Sequence, residues 1–201
     1  LVQIRFAPPA KPNWIQKLPL TPLILKLMKF SLAYLPGAIL RPFIMKFLTT
    51  ALGPDLRVYE NGAILVNNEG ERFADELHSV GLHDVGEYER PDQGEVSDLP
   101  PNIALADQPD GEAFVIFDDK FARKFTKWPY FVSTAPGIAY AFMDDYRRSR
   151  SDLFISGKSI GELAENLGVD GEKLARTIAE VNRQRVNSDR QIVSAPFHAL
   201  G

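Results

Sequence analysis

The sequence predicts an α+β fold, a small mixed sheet covered by helices, with an apolar α-hairpin at the N-terminus. Three observations carry that expectation. Gly62 to Asn67 is a run in which Ala63 and Leu65 alternate with Ile64 and Val66, so both faces of the strand are apolar and both should be buried. Phe114 to Phe117 is a second short apolar run of the same character. Further on, Ser159 with Glu162, and then Asp170, open stretches of helical spacing, with Leu174, Ile178 and Val181 on one face of the second. The sheet is expected from residues 57–67, 112–118 and about 152–156, and its covering helices from 158–186.

Composition sets the limits. The 201 residues are 45% hydrophobic and 24% charged, ordinary for a globular protein with room for a sizeable core. The chain has no cysteine, which excludes disulfide frameworks, thiolate metal sites and thiol nucleophiles together. It opens on Leu1 without a recognisable secretory signal, and it reads as a piece of a longer, cytoplasmic protein that touches membrane peripherally if at all.

Charge is divided unevenly. Residues 1–54 hold Arg5, Lys11, Lys17, Lys26, Lys29, Arg41 and Lys46 and no acid, a net of +7. Of the chain's 23 basic and 26 acidic residues, the remainder therefore holds 16 basic and all 26 acidic, a net of −10. Two regions follow: a basic apolar helical hairpin at 1–54, and a domain at 55–201 with an acidic loop at 82–112. No nucleic-acid partner is expected.

Taken in order, Thr21-Pro22 is a hydroxyl cap followed by a first-turn proline, and the helix it opens should run to about Leu35, before Pro36-Gly37. Lys26 and Lys29 share its narrow polar stripe. A second helix from Pro42 repeats the pattern, with Lys46, Thr49 and Thr50 as the polar stripe. Such a hairpin fits three roles: buried helices packed on the domain, a membrane-surface segment with lysines toward anionic headgroups, or a lid over an apolar substrate. The longest uncharged run, Phe30 to Leu40, is too short to span a bilayer.

Asn68-Glu69-Gly70 supplies a tight turn after the first strand, and Arg72 and Glu76, four apart, are expected to pair and fix that turn. Asp118 should cap a short helix through Phe125. Ser133-Thr134 sit among aromatics and read as a turn or as pocket lining, the turn being preferred. Arg147, Arg148 and Arg150 beside Asp144 and Asp145 read as an exposed ion-pair cluster.

The stretch Tyr59 to Glu76, YENGAILVNNEGERFADE, resembles a signature of the fumarate reductase, succinate dehydrogenase and 3-ketosteroid dehydrogenase group of FAD-dependent oxidoreductases, where it lies in the substrate-capping domain. Ala113 to Asp119, Gly157 to Ala164, Leu174 to Asn182 and Pro196 to Leu200 resemble four further stretches of that group, in the same order. Together they span residues 57 to 200 with gaps.

The resemblance implies a flavoprotein cap working with an FAD-binding domain on a small molecule by hydride transfer at flavin N5. FAD would be held mainly by that other domain, because these residues contain no GxGxxG turn. Metal chemistry is not expected, as no paired histidines have ligand spacing. In the family an arginine or a tyrosine of the cap donates a proton. Here the corresponding position is about Val80, whose apolar side chain cannot donate a proton, so neither the fumarate-reductase and succinate-dehydrogenase activity nor the ketosteroid-dehydrogenase activity is carried over; a further family arginine is replaced by Tyr59, and an apolar substrate is expected. The titratable groups nearest the gap are His78, His83 and Tyr59. His78, titrating near neutrality, is the first candidate proton donor, with Tyr59 beside it as a catalytic candidate; its alternative is a loop histidine bonded to backbone. His198 stands where the family has tyrosine and reads as structural. The competing functional reading is a cofactor-free binding or membrane-associating module that kept the cap fold.

Overall fold

A computed structural model of the chain describes residues 6, 21–34, 41, 45, 46, 48, 49, 52–77, 96, 97, 99–135 and 139–201. Its centre is a four-stranded sheet built from β1 (Ile64–Asn67), β2 (Ala113–Asp118), β5 (Phe154–Gly157) and β6 (Phe197–Leu200), in the spatial order β1-β2-β6-β5. Every neighbouring pair is antiparallel: Leu65 faces Val115, Ile116 faces Ala199, and Ile155 faces Ala199 from the other side. The sheet is thus antiparallel, which corrects the expectation of a mixed one. β2 and β5 do run parallel to each other, but the C-terminal strand β6, absent from the expected set, is inserted between them and reverses both pairings.

Alternation along the strands divides the interior in two. Ala63, Leu65, Val115, Phe117 and Leu200 point into one core with Phe73, Phe121, Phe125 and Tyr146. Ile64, Val66, Ile116 and Ala199 point into a second, against the helices α6 (Ile160–Leu167) and α7 (Gly171–Gln184). β1 is therefore buried on both faces despite lying at the sheet edge, as its sequence requires.

Helix ends follow local chemistry. Ser159 Oγ accepts from Glu162 N (3.1 Å), and Glu162 reaches back one residue beyond the cap to accept from Lys158 N (2.9 Å). Asp170 accepts from Glu172 N and Lys173 N, opening α7, whose Leu174, Ile178 and Val181 are buried. Asp118 accepts from Phe121 N (2.9 Å) to start α4 (Asp119–Lys124), and its other oxygen accepts from Val193 N and Ser194 N, tying the segment before β6 to the sheet.

Four expectations need correction. Residues 57–60 are not strand: α2 (Leu56–Glu60) is a single helical turn started by the Asp55 side chain, and it turns Val58 and Tyr59 into the core. Between them, residues 96–112 contain α3 (Pro101–Ala104) and two short 3-10 turns, so the described part of the acidic loop carries local structure. The arginine cluster is not wholly exposed: Arg150 at the end of α5 (Met143–Ser149) is fully buried and pairs with Asp152 (3.0 Å), while Asp145 is buried under Arg41. Finally, Thr49 is no part of a polar stripe; it is buried and donates to Met45 O (2.7 Å). Ser133 and Thr134 belong to a small antiparallel ribbon, β3 (Ser133–Ala135) with β4 (Ala139–Ala141), and both hydroxyls are used internally, on Tyr146 and on Ala139 O.

In the N-terminal region, α1 (Pro22–Tyr34) starts where its cap predicts, Thr21 Oγ1 accepting from Ile24 N (3.4 Å); the stop expected at Pro36-Gly37 lies outside the described residues. Leu23, Leu25, Phe30 and Tyr34 are exposed. Arg41, Met45, Lys46, Leu48 and Thr49 are helical; the turn of the expected hairpin lies outside the described residues. No helix among the described residues is long and apolar enough to cross a membrane.

Candidate functional site

The site grows from a problem at the sheet edge. β1 has a neighbour on one side only, so its outward amides need partners that are not strands. The chain supplies them by folding back. Gly70, at φ +84°, lets residues 67–71 reverse, Asn67 N donates to Glu71 O (2.9 Å), and Arg72 forms an isolated bridge with Val66. The return then brings Glu76 to Leu65, whose amide donates to Glu76 Oε1 at 2.8 Å.

Glu76 is almost completely buried, and a buried carboxylate needs a cation. Arg72 provides it in a two-pronged contact, Nε to Oε1 at 3.0 Å and Nη2 to Oε2 at 2.6 Å. The segment between them is not helical, so turn geometry rather than a helix face makes the pair. Burial alone would lower the Arg72 pKa, but the hydrogen bonds and charge of Glu76 raise it above its ordinary value. Arg185, at the end of α7, donates to Gly62 O (2.7 Å) and Arg190 O (3.0 Å); burial, with Arg72 and Arg190 nearby, lowers its pKa, and Glu76 opposes the shift.

Tyr59 lies against this node from the core side. Its hydroxyl is buried and has no hydrogen-bond partner among the described residues. Burial first, and the Glu76 charge second, push the phenol far above its ordinary range, so it stays protonated. An unpartnered buried hydroxyl costs stability, and such groups in folded proteins call for an explanation. His78, two residues beyond Glu76, and His83 lie outside the described residues.

On the solvent side, Arg72 borders a groove of about 370 Å³ lined by Glu71, Val96, Lys173, Arg176, Thr177 and Glu180 among others. Lys173 bridges Glu69 and Glu71 (2.7 and 3.1 Å), and Thr177 Oγ1 donates to Gly70 O (2.9 Å), so α7 is clamped to the turn that carries Arg72. A second crevice, between Gly62, Lys120 and Asp189, encloses only about 50 Å³. Among the described residues no group of three or more acidic or histidine side chains could hold a metal.

The starts of the two helices over the sheet, α6 and α7, offer no free cradle for a pyrophosphate. A pyrophosphate needs free N–H groups at a helix start, and those of α6 and α7 are taken by their own caps, Ser159 and Asp170.

His198, the remaining sequence candidate, sits in β6 away from the Arg72 node. Its Nδ1 lies 2.9 Å from Ser156 Oγ, its ring packs between Phe117 and Phe154, and Nε2 is 3.6 Å from Asp119 with no hydrogen bond. Burial, then Arg147, lowers its pKa. Sequence reasoning missed the use of Glu76 as an amide acceptor, the tie from Asp118 to residues 193–194, and the Arg41–Asp145 fork. Only the first had a readable signal: a glutamate spaced to return to a buried edge strand.

No protein-family model matches the chain, and no curated protein matches it. Among solved structures it is similar to the open conformation of a flavocytochrome c3 fumarate reductase, at 18% identity and a TM-score of 0.46 over 74% of this chain and 23% of that one. It is also similar to the solution structure of a fumarate reductase flavoprotein subunit from Lactobacillus plantarum (16% identity, TM-score 0.43, 72% of this chain and 84% of that one). A third similar structure is 3-ketosteroid delta1-dehydrogenase from Sterolibacterium denitrificans in complex with 1,4-androstadiene-3,17-dione (16% identity, TM-score 0.42, 69% of this chain and 26% of that one). The chain spans about a quarter of the length of the first and third of these proteins.

Proposed function

We propose that this chain is the substrate-capping part of an FAD-dependent oxidoreductase, acting on an apolar small molecule and completed by an FAD-binding domain that lies outside these residues. One observation carries the reading. The five stretches that resemble that group of enzymes, scattered over residues 57 to 200, fold into a single unit: three supply the adjacent strands β1, β2 and β6, and the other two supply α6 and α7 over one face. The fold-back from Arg72 to Glu76 then fixes where the chain enters the segment containing His78.

The redox chemistry belongs to the complete enzyme, and the residues described here would contribute position and exclusion of water. His78 is the proposed proton donor, with Tyr59 as the candidate behind it. In support, Tyr59 keeps a buried, unpartnered hydroxyl next to the Glu76 charge at a cost in stability.

The test is to purify the product of the complete reading frame and record its spectrum. The reading expects bound flavin, and in the active protein His78→Gln should lower kcat far more than it changes KM. A purified complete product without flavin would overturn it in favour of a cofactor-free binding module.

A further inference from the structure

We infer that α1 is a membrane-surface helix that lies in the interface of an anionic bilayer. Three of its exposed apolar side chains fall on one line, Leu23 (77% exposed), Phe30 (59%) and Tyr34 (73%), while a fourth, Leu25 (45%), faces away from it. Spacings of seven and four place them within about 40° of one another on a helix, and the Phe30 and Tyr34 rings lie 4.6 Å apart. Lys26 and Lys29, both exposed, lie to one side of this line, about 60° and 120° round the helix from Leu23. Thirteen residues make a helix about 20 Å long, too short to span the ~30 Å hydrocarbon layer but long enough to lie along its surface.

Charge selects the occupant. Residues 1–54 carry seven basic residues and no acidic one, in a chain that is otherwise net −10. A surface of fixed negative sign attracts that segment. A symmetric contact between two copies through α1 would instead gather four lysine side chains, Lys26 and Lys29 of each copy, around one apolar interface. The residues that follow α1 are tied to the body: Arg41 forks onto Asp145 at 2.9 and 2.7 Å, and Met45 and Thr49 are buried. Docking α1 would therefore hold the domain at the surface.

Flotation of the chain with vesicles decides the matter. Vesicles of phosphatidylcholine with phosphatidylglycerol should carry the protein upward, vesicles of phosphatidylcholine alone should not, and added salt should release it. Lys26→Gln with Lys29→Gln should weaken the partition about 30-fold, at about fivefold per lysine. Leu23→Ser with Phe30→Ser should abolish it, with an unchanged circular dichroism spectrum because both side chains are already exposed. Absence of binding to anionic vesicles, equal binding to neutral ones, or unaltered binding by either variant would overturn the proposal. So would self-association in sedimentation that the Leu23/Phe30 variant abolishes, which would assign the face to a second copy.

Discussion

Arg72→Ala is the most informative single change. The Glu76 side chain is 2% exposed and that of Arg72 18%, so this pair is far drier than a surface ion pair worth ~0–1 kcal/mol. Removing the guanidinium leaves a buried carboxylate whose remaining contact is the Leu65 amide. Breaking a buried pair from one side costs about 3–5 kcal/mol, a large share of the roughly 5–15 kcal/mol that holds a typical domain together. Replacing both partners, Arg72→Met with Glu76→Leu, removes both charges and leaves chiefly the Leu65 amide unpaired, a cost of about 1–3 kcal/mol. The double variant should therefore be more stable than either single one, with a coupling of at least about 2 kcal/mol. Urea unfolding followed by circular dichroism of the parent, Arg72→Met, Glu76→Leu and the double variant measures all four corners of the cycle, with Arg72→Ala beside them. A loss below about 1 kcal/mol for Arg72→Ala, or simple additivity, would refute the idea that a dry ion pair closes the sheet edge.

Three further outcomes follow from the same structure. Tyr59→Phe deletes a buried hydroxyl without a partner, so the variant should be as stable as the parent or up to about 1 kcal/mol more stable; destabilisation by urea titration would show that the hydroxyl is bonded. His198 has a folded-state pKa below its ordinary 6.5, so the unfolded chain takes up its proton first; its contribution is whole above pH 6.5 and is lost as pH falls from there through the lower folded value. The urea midpoint of His198→Gln should accordingly fall less steeply than that of the parent over that interval, and parallel curves would contradict the assignment. At Gly157 a Cβ would collide with backbone of α6, 2.7 Å from Leu163 Cα, so Gly157→Ala should cost about 3 kcal/mol and lower the Tm by roughly 6–12 °C; an unchanged melting curve would show that β5 and α6 can part.

Much of the fold could be read from short-range chemistry. The caps at Thr21, Asp118, Ser159 and Asp170 act within three residues of themselves, and each starts its helix where the sequence places it. Gly62 to Asn67 announces burial on both faces because all four central side chains are apolar. Pairing partners were less legible: Phe197 to Leu200 is only four residues long and follows a proline, so nothing local marks it as the strand between β2 and β5. Burial of charge was least legible of all. Arg150 belongs to a run of arginines and aspartates that looks solvated, and only its placement in three dimensions, buried against Asp152, distinguishes it from its exposed neighbour Arg148. At the candidate site, the Arg72–Glu76 spacing carries its own pairing, whereas the unpartnered state of Tyr59 depends on what the rest of the core fails to provide.

The proposal that these residues cap a flavin held by a further domain rests on one titration: FAD into the purified 201-residue chain and, separately, into the flavin-free product of the full reading frame, followed by flavin fluorescence. The chain should show no saturable binding, and the full product should take up one flavin per molecule. Stoichiometric uptake by the chain alone would contradict it.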